Sequence, residues 1–315
     1  MSLTSHIRNA NQSPIGQFLR QRFPHTAIIT KGTNAKLRAS RALLPPIHPW
    51  PYDKIGSAMD YRIRYYFDIT PSPQLVAWAG AHMLPYVLGD EGELIEGPYT
   101  LELVEAFFTR LDALLETIHP VRRKLEPEAE RDLARYCFIL ALFEEVFREG
   151  VDGRAKNGPL FMPEPKQSVE DLLALVEDGW IDDLCQLTAL FHDTCQHLLL
   201  HPFHLNPTFA GSGDVGGADA DLIVDGCLIE IKTSKQMQID ADWLRQLVGY
   251  VLLDYNDEHH INSAGLYMVR QGVLFTWPLA DFLPLLTASD AISLPLLRQE
   301  FSDLCKNRRT GMRRQ

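Results

Sequence analysis

The chain has 315 residues, 46% of them hydrophobic and 23% charged, which is ample apolar material for a core in one large domain or two. With 41 acidic against 30 basic residues its formal charge is −11, which argues against a protein that coats nucleic acid along its whole surface, because phosphate contacts come from clustered Lys and Arg. No apolar run approaches the roughly 20 residues of a membrane span, the first residues lack the apolar core of a secretory signal, and five cysteines without a Cys-x-x-Cys indicate neither a disulfide framework nor a zinc ribbon. The expectation is a cytoplasmic globular protein with no membrane partner.

Ser13-Pro14-Ile15-Gly16-Gln17-Phe18-Leu19 predicts a short capped helix with Pro14 at its first position, ending near Pro24. Ala27-Ile28-Ile29-Thr30 reads as a brief strand leading into a basic cluster of Lys31, Lys36, Arg38 and Arg41. A second basic run closes the chain with Lys306, Arg308, Arg309, Arg313 and Arg314. Either cluster suits a phosphate backbone, although a terminal run is more often a solvated tail. Between Leu43 and Tyr52, Pro45, Pro46, Pro49 and Pro51 exclude helix and central strand and predict a rigid connector. The stretch after it reads as a helix on which Gly56 and Asp60 share a face, as do Asp60 and Arg64.

From Pro73 to Leu200 the apolar period is helical, with segments near 73–88, 99–118, 127–149, 168–177 and 179–199. Breaks fall at 89–92, at His119-Pro120, at Gly150 and in the loop from Gly158 to Pro165. These helices hold much of the acidity, including Glu126, Glu128, Glu130, Glu144 and Glu145, and read as an α-helical insertion that shapes a substrate channel or docks a protein partner. His192, Asp193, Cys195, His197, His201 and His204 have the composition of a metal cluster but no zinc-site spacing, and core or surface histidines are the better reading. Gly211-Ser-Gly213-Asp-Val-Gly216 spells a dinucleotide fingerprint, but a strand follows where that motif requires a helix, so the glycines are taken as a loop that lets backbone approach.

Asp225-Gly226 between Leu222-Ile223-Val224 and Cys227-Leu228-Ile229 is the strongest hairpin signal in the chain. A two-residue loop pairs Val224 with Cys227, Ile223 with Leu228 and Leu222 with Ile229; continued, it sets Asp221 against Glu230 and Asp219 against Lys232. Alternation places Asp219, Asp221, Glu230 and Lys232 on one side, and directly opposed β-carbons lie roughly 4.5–5.5 Å apart. Two carboxylates forced together with a lysine beside them need compensation. Hard, oxygen-seeking Mg²⁺ supplies it; a solvated face with Asp219 paired to Lys232 is the alternative. The flanking apolar runs suggest a buried hairpin, where unpaired charge is hard to tolerate, and favour the metal. Downstream, Ile239 to Tyr255 forms an apolar helix with Gln246 and Tyr250 one turn apart, Leu266 to Trp277 reads as a second hairpin completing the sheet, and Phe282 onward as C-terminal helix.

Asp221 followed by Glu230-Ile231-Lys232 resembles the Asp…(Asp/Glu)-x-Lys signature of the PD-(D/E)XK nuclease superfamily, with Ala220 in the place of its leading proline. Gln246-x-x-x-Tyr250 resembles the additional motif of the RecB and lambda-exonuclease-like branch. The resemblance covers residues near 50–68 and 215–280. It implies an α/β protein with a three-layer α/β/α restriction-endonuclease-like core and a large α-helical insertion: 1–70 as the N-terminal part of the core with the motif helix, 71–205 as the insertion, 206–290 as the nuclease core, 291–315 as C-terminal helix and basic tail. It implies a Mg²⁺- or Mn²⁺-dependent deoxyribonuclease acting in DNA repair or anti-phage defence, with RNA cleavage open to the same chemistry. Asp221, Glu230 and the Ile231 carbonyl would hold the metal, Lys232 would orient or deprotonate the attacking water, and Gln246 and Tyr250 would orient Lys232 or contact DNA. In that branch a Gly-x-x-x-His helix carries a histidine to the metal; here Gly56-x-x-x-Asp60 matches the spacing with an aspartate, which is either a further oxygen ligand or the partner of Arg64. The alternative function is a catalytically silent DNA-binding or scaffold subunit of a larger nucleic-acid-processing complex.

Overall fold

The computed structural model describes residues 2–40, 43–46, 52–88, 94–97, 99–151, 158–162, 167–287 and 292–312. In chain order the helices are α1 (Leu3–Arg8), α2 (Pro14–Arg22), α3 (Thr26–Ser40), α4 (Tyr52–Phe67), α5 (Val76–Ala81), α6 (Leu101–Ile118), α7 (Pro127–Glu149), α8 (Val169–Leu173), α9 (Asp178–Cys195), α10 (Ala241–Leu253), α11 (Leu279–Leu286) and α12 (Leu294–Met312). The strands are β1 (Tyr86–Leu88), β2 (Leu94–Glu96), β3 (Phe203–Leu205), β4 (Leu222–Val224), β5 (Cys227–Lys232), β6 (Ser263–Met268) and β7 (Val273–Pro278). The chain is mixed α/β and divides into two compact units, one of residues 1–43 and 200–315, the other of residues 44–199.

The first unit is built on a five-stranded mixed sheet of order β3-β4-β5-β6-β7. Only β5 and β6 run parallel, and α10 is the helical crossover that parallel neighbours require. The β4–β5 register is the predicted one, Leu222↔Ile229, Ile223↔Leu228 and Val224↔Cys227. Asp225 (φ 48°) and Gly226 (φ 74°) both take the left-handed backbone that a type I′ loop demands. Ile223, Leu228, Ala264, Leu266 and Met268 line one sheet face and share a core with Leu3 and Ile7 of α1, Leu19 of α2, Leu37 of α3, Leu244, Leu247, Val248 and Val251 of α10, Phe282 of α11 and Phe301 of α12. Leu222, Val224, Ile229 and Tyr267 on the opposite face are buried as well.

The second unit packs α4, α5, α6, α8 and α9 around the 23-residue α7, with a small β1–β2 hairpin. Phe107, Phe138, Phe143 and Ile181 fill its interior. It also buries charge. Arg62 is fully enclosed and meets Glu130 through two hydrogen bonds, Nε to Oε1 at 2.7 Å and Nη2 to Oε2 at 2.8 Å, while its guanidinium lies 4.2 Å from the centre of the Tyr66 ring. Among the described residues no helix is long and apolar enough to cross a membrane.

Ser13 caps α2 as expected, its hydroxyl accepting from the amide of Gly16. Other expectations are corrected. The segment Ala27–Thr30 lies inside α3, because Ile29, Thr33 and Leu37 at four-residue steps bury a helical stripe that outweighs the local β preference of an Ile-Ile-Thr run. Residues 73–88 yield only the short α5 before the chain, past Pro85, becomes β1. Strand β3, which pairs with β4, falls inside the 71–205 stretch that was read as a helical insertion, and the C-terminal helix is two helices, α11 and α12. Helix α4 packs with α7 and α9, so the helical unit begins at Leu44 rather than at residue 71 and ends at Leu199. Arg41, Arg313 and Arg314, the 89–92 break and most of the proline connector lie outside the described residues, as do the side chains of Arg308 and Arg309.

Candidate functional site: a lysine, two carboxylates and an amide

Strand β5 alternates an apolar and a polar residue at its end, so Glu230 and Lys232 emerge on the face that α10 covers. Asp240 caps α10, accepting from the amide of Asp242 at 2.7 Å, which sets the helix so that Gln246 and Tyr250 stand one turn apart over the strand. Lys232 Nζ donates to Glu230 Oε1 at 2.7 Å and to Gln246 Oε1 at 3.0 Å. The Gln246 amide nitrogen donates to Glu230 Oε1 at 2.9 Å and to the Tyr250 hydroxyl at 2.8 Å. An ammonium can only donate and a carboxylate can only accept, so these neighbours fix which end of the Gln246 amide faces which. Glu230, Gln246 and Tyr250 are each more than nine-tenths buried, which holds the four side chains in one arrangement.

Asp221 joins from the position just before β4. Its Oδ2 accepts from the backbone amide of Ile231 at 2.6 Å, so the carboxylate is anchored between Glu230 and Lys232 in sequence. The expected register does not reach it through the β-ladder. The β4–β5 pairing stops at Leu222, the Asp221 carbonyl accepts from the Asn206 amide, Ala220 donates to the Pro207 carbonyl, and Asp219 bridges Thr208 instead of opposing Lys232. The chain turns away because β3 and the residues after it supply a competing set of backbone partners. Asp219 nevertheless belongs to the same electrostatic neighbourhood. Burial chiefly, and then the charges of Glu230, Asp221 and Asp219, push the Tyr250 phenol above its ordinary value against the hydrogen bond from Gln246.

That shift carries an expected result. A buried phenol with a raised pKa stays neutral while unfolded tyrosine ionises near 10, so the unfolded state releases protons first and stability falls as pH rises above about 10. Ultraviolet titration of the folded protein should then count the same number of phenolates in the wild type and in Tyr250→Phe. One extra phenolate near pH 10 in the wild type would contradict the burial of this hydroxyl.

The N-terminal helix supports the network. Thr4 Oγ1 accepts from Gln246 Nε2 at 3.3 Å, and the Leu3 amide donates to the Gly217 carbonyl at 3.3 Å. Helix α1 lies so close to α10 that a β-carbon on Gly249 would stand 2.9 Å from a Leu3 methyl. Sequence reasoning missed Thr4, since nothing local links residues so far apart in the chain. It also set Asp219 aside. The sequence places Trp243 only within the apolar helix, yet its ring lies 5.9 Å from Lys232 Nζ.

Asp60 sits in the second unit, where it is ion-paired with Arg64, as the alternative reading of that helix had it. Of the histidines, His192 stacks on Tyr66 in the second unit and His204 packs edge-on against His259 in the first. Among the described residues no three His, Cys, Asp or Glu side chains gather as a metal-binding group. The donors at hand are the carboxylates of Asp221 and Glu230 and nearby backbone carbonyls, with no thiolate or imidazole in the network. That set does not make a closed protein cage, but it fits a hard cation such as Mg²⁺ or Mn²⁺ held by one or two carboxylates with water completing its shell. No family model, no curated protein and no solved structure matches the chain.

Proposed function

We propose that this chain is a Mg²⁺- or Mn²⁺-dependent deoxyribonuclease with a PD-(D/E)XK-type core. The observation that carries the reading is the joining of Lys232 to both Glu230 and Gln246, with Asp221 tethered to the amide between Glu230 and Lys232. All four side chains, and Tyr250 behind them, are the residues that the two sequence motifs single out. The central strands of the sheet, largely buried on both faces, are compatible with the three-layer architecture that such a core has.

Asp221 and Glu230, with the Ile231 carbonyl, would hold the cation. Bound there, the metal supplies Lewis acidity and a bound water of lowered pKa. The chain's own residues do the rest. Lys232 presents an ammonium beside the carboxylates, where it donates to the scissile phosphate, orients the attacking water and offsets the negative charge that grows as the phosphorus–oxygen bond breaks. Gln246 holds Lys232 and Glu230 at fixed separation, and so restricts the ammonium to a direction that serves one bound geometry. Tyr250, kept neutral, anchors Gln246 from behind.

Calorimetry with Mn²⁺ separates this reading from that of a silent scaffold. The wild type should bind the ion and, with Mg²⁺ or Mn²⁺, cut linear, circular or single-stranded DNA, and Glu230→Ala should lose both properties with its circular dichroism unchanged. A wild type that binds no Mn²⁺ and leaves all three DNA forms intact would favour the scaffold and overturn the nuclease assignment.

A further inference from the structure

The acidic chain concentrates positive charge in two segments that lie against each other beside the lysine. Helix α3 carries Lys31, Lys36 and Arg38 and no acidic residue over its 15 positions. All three are exposed, and none forms an ion pair among the described residues. Lys31, Ala35 and Arg38 follow the helical step along one stripe. Between and beyond the cations the surface is low, formed by Gly32, Ala35, Ala39 and Ser40, and a β-carbon on Gly32 would meet nothing within 4 Å. The second segment is the loop that leaves β5 after Lys232. Ile231 to Ile239 contains Lys232 and Lys235 but no acid, and offers Thr233, Ser234, Gln236 and Gln238 as further donors.

The two segments are fastened together. Asn34 of α3 accepts from the Ile239 amide at 2.6 Å and donates to the Ile239 carbonyl at 3.4 Å. On the other side the buried Gln271 amide donates to the carbonyls of Ser234 at 3.1 Å and Gln236 at 3.3 Å. A loop held at both ends presents its side chains in a fixed direction, and it runs without interruption from the site lysine to α3. Where the positive stretch ends, at the start of α10, the exposed Asp240 accepts from the Asp242 amide as the helix cap, and Asp242 is engaged by Arg245 at 2.7 Å and by Arg20 at 3.9 Å.

We infer that the exposed face of α3 and the 233–239 loop form the track along which the phosphate backbone of the nucleic-acid substrate is led to Lys232. Small residues between the cations let a phosphodiester chain lie close, and α3 carries no aromatic ring on which a base could stack, so the contact is one of charge rather than of sequence. The assignment rests on the nuclease reading for its direction toward Lys232, while the binding surface itself is testable without cleavage.

The test is fluorescence anisotropy with labelled single-stranded and duplex DNA in EDTA, across a NaCl titration, on the wild type, on Lys31→Glu/Lys36→Glu/Arg38→Glu and on Lys235→Glu. The triple variant should bind about tenfold or more weakly, and its dependence of log Kd on log salt should flatten by about 0.9 for each duplex phosphate it no longer neutralises, or about 0.7 on a single strand. Lys235→Glu should weaken binding less. Wild-type affinity and salt slope in the triple variant would overturn the track, as would failure of the wild type to bind DNA, or displacement of DNA by polyglutamate as effective as that by unlabelled DNA. Cleavage is measured separately with Mg²⁺. Cutting by the wild type and the triple variant alike sinks the track and leaves the nuclease reading standing, whereas α3-dependent binding without any cutting leaves the track and sinks the nuclease reading.

Discussion

Lys232→Ala should cut DNA about 10³-fold more slowly than the wild type while remaining folded. A single positioned proton-transfer or charge-stabilising group is worth roughly 10²–10⁴ in rate, and here one side chain is asked to orient water and to offset phosphate charge. Stability should also fall, because the substitution leaves Glu230 buried without its ion pair. The loss should be about 1–3 kcal/mol rather than the larger cost of stranding a fully enclosed charge: the Lys232 side chain is 19% exposed, and Gln246 still donates to Glu230 Oε1. Adding Glu230→Gln removes the stranded charge, so Lys232→Ala/Glu230→Gln should regain most of the lost stability in urea and none of the cleavage. A cleavage loss of that size in Lys232→Ala, measured at a urea concentration where the protein is still fully folded, is what separates a catalytic lysine from a merely structural one. Wild-type cleavage by pure Lys232→Ala protein would end the assignment, whatever happened to its stability.

The largest loss of stability should come from the other unit. Glu130→Ala strands Arg62, which has no access to solvent and keeps Nη1 buried without a hydrogen-bond partner even in the intact protein. Breaking a buried pair by removing one partner costs about 3–5 kcal/mol, a large share of the stability of most domains. The lower end of that range is expected, because Glu130, Tyr66, Leu125 and Thr188 line a cavity of about 250 Å³ through which water can reach the guanidinium once the carboxylate is gone. Arg62→Met/Glu130→Leu removes both charges and should recover much of the loss. Urea unfolding of the three proteins measures this directly, and a Glu130→Ala penalty below about 1 kcal/mol would mean that the pair is hydrated rather than buried.

The lysine network and the Arg62 pair differ in how far they could be foreseen. Glu230, Lys232, Gln246 and Tyr250 are legible because two short-range periods, two residues along a strand and about four along a helix, put each pair on one side. The strand pair then needs only its own turn to be recognised, and Asp225-Gly226 declares that turn through backbone conformations that few other residues adopt at so little cost. Arg62 and Glu130 lie 68 residues apart on helices whose packing no local pattern announces, and in the sequence Glu130 is one acid among many on a helix surface.

What the sequence by itself determined is therefore the local part: the hairpin, its three-pair register, the capped start of α2, most of the helices in 99–199 and the side chains that face α10. Tertiary structure decided the rest. Ile28-Ile29-Thr30 became helix because a buried stripe was available on α3. The ladder beyond Leu222 was lost because Asn206 and Pro207, just past β3, offered Asp221 and Ala220 other backbone partners, and Asp221 reached the site through its side chain instead. Thr4 entered the network only because α1 packs onto Gly249, and Asp60 went to Arg64 because α4 packs with α7 and α9. Dihedral preferences and side-chain periods act within a few residues and can be read from the chain. Competition for backbone hydrogen bonds and for buried area is settled between segments far apart in it, and only the assembled fold says which segment wins.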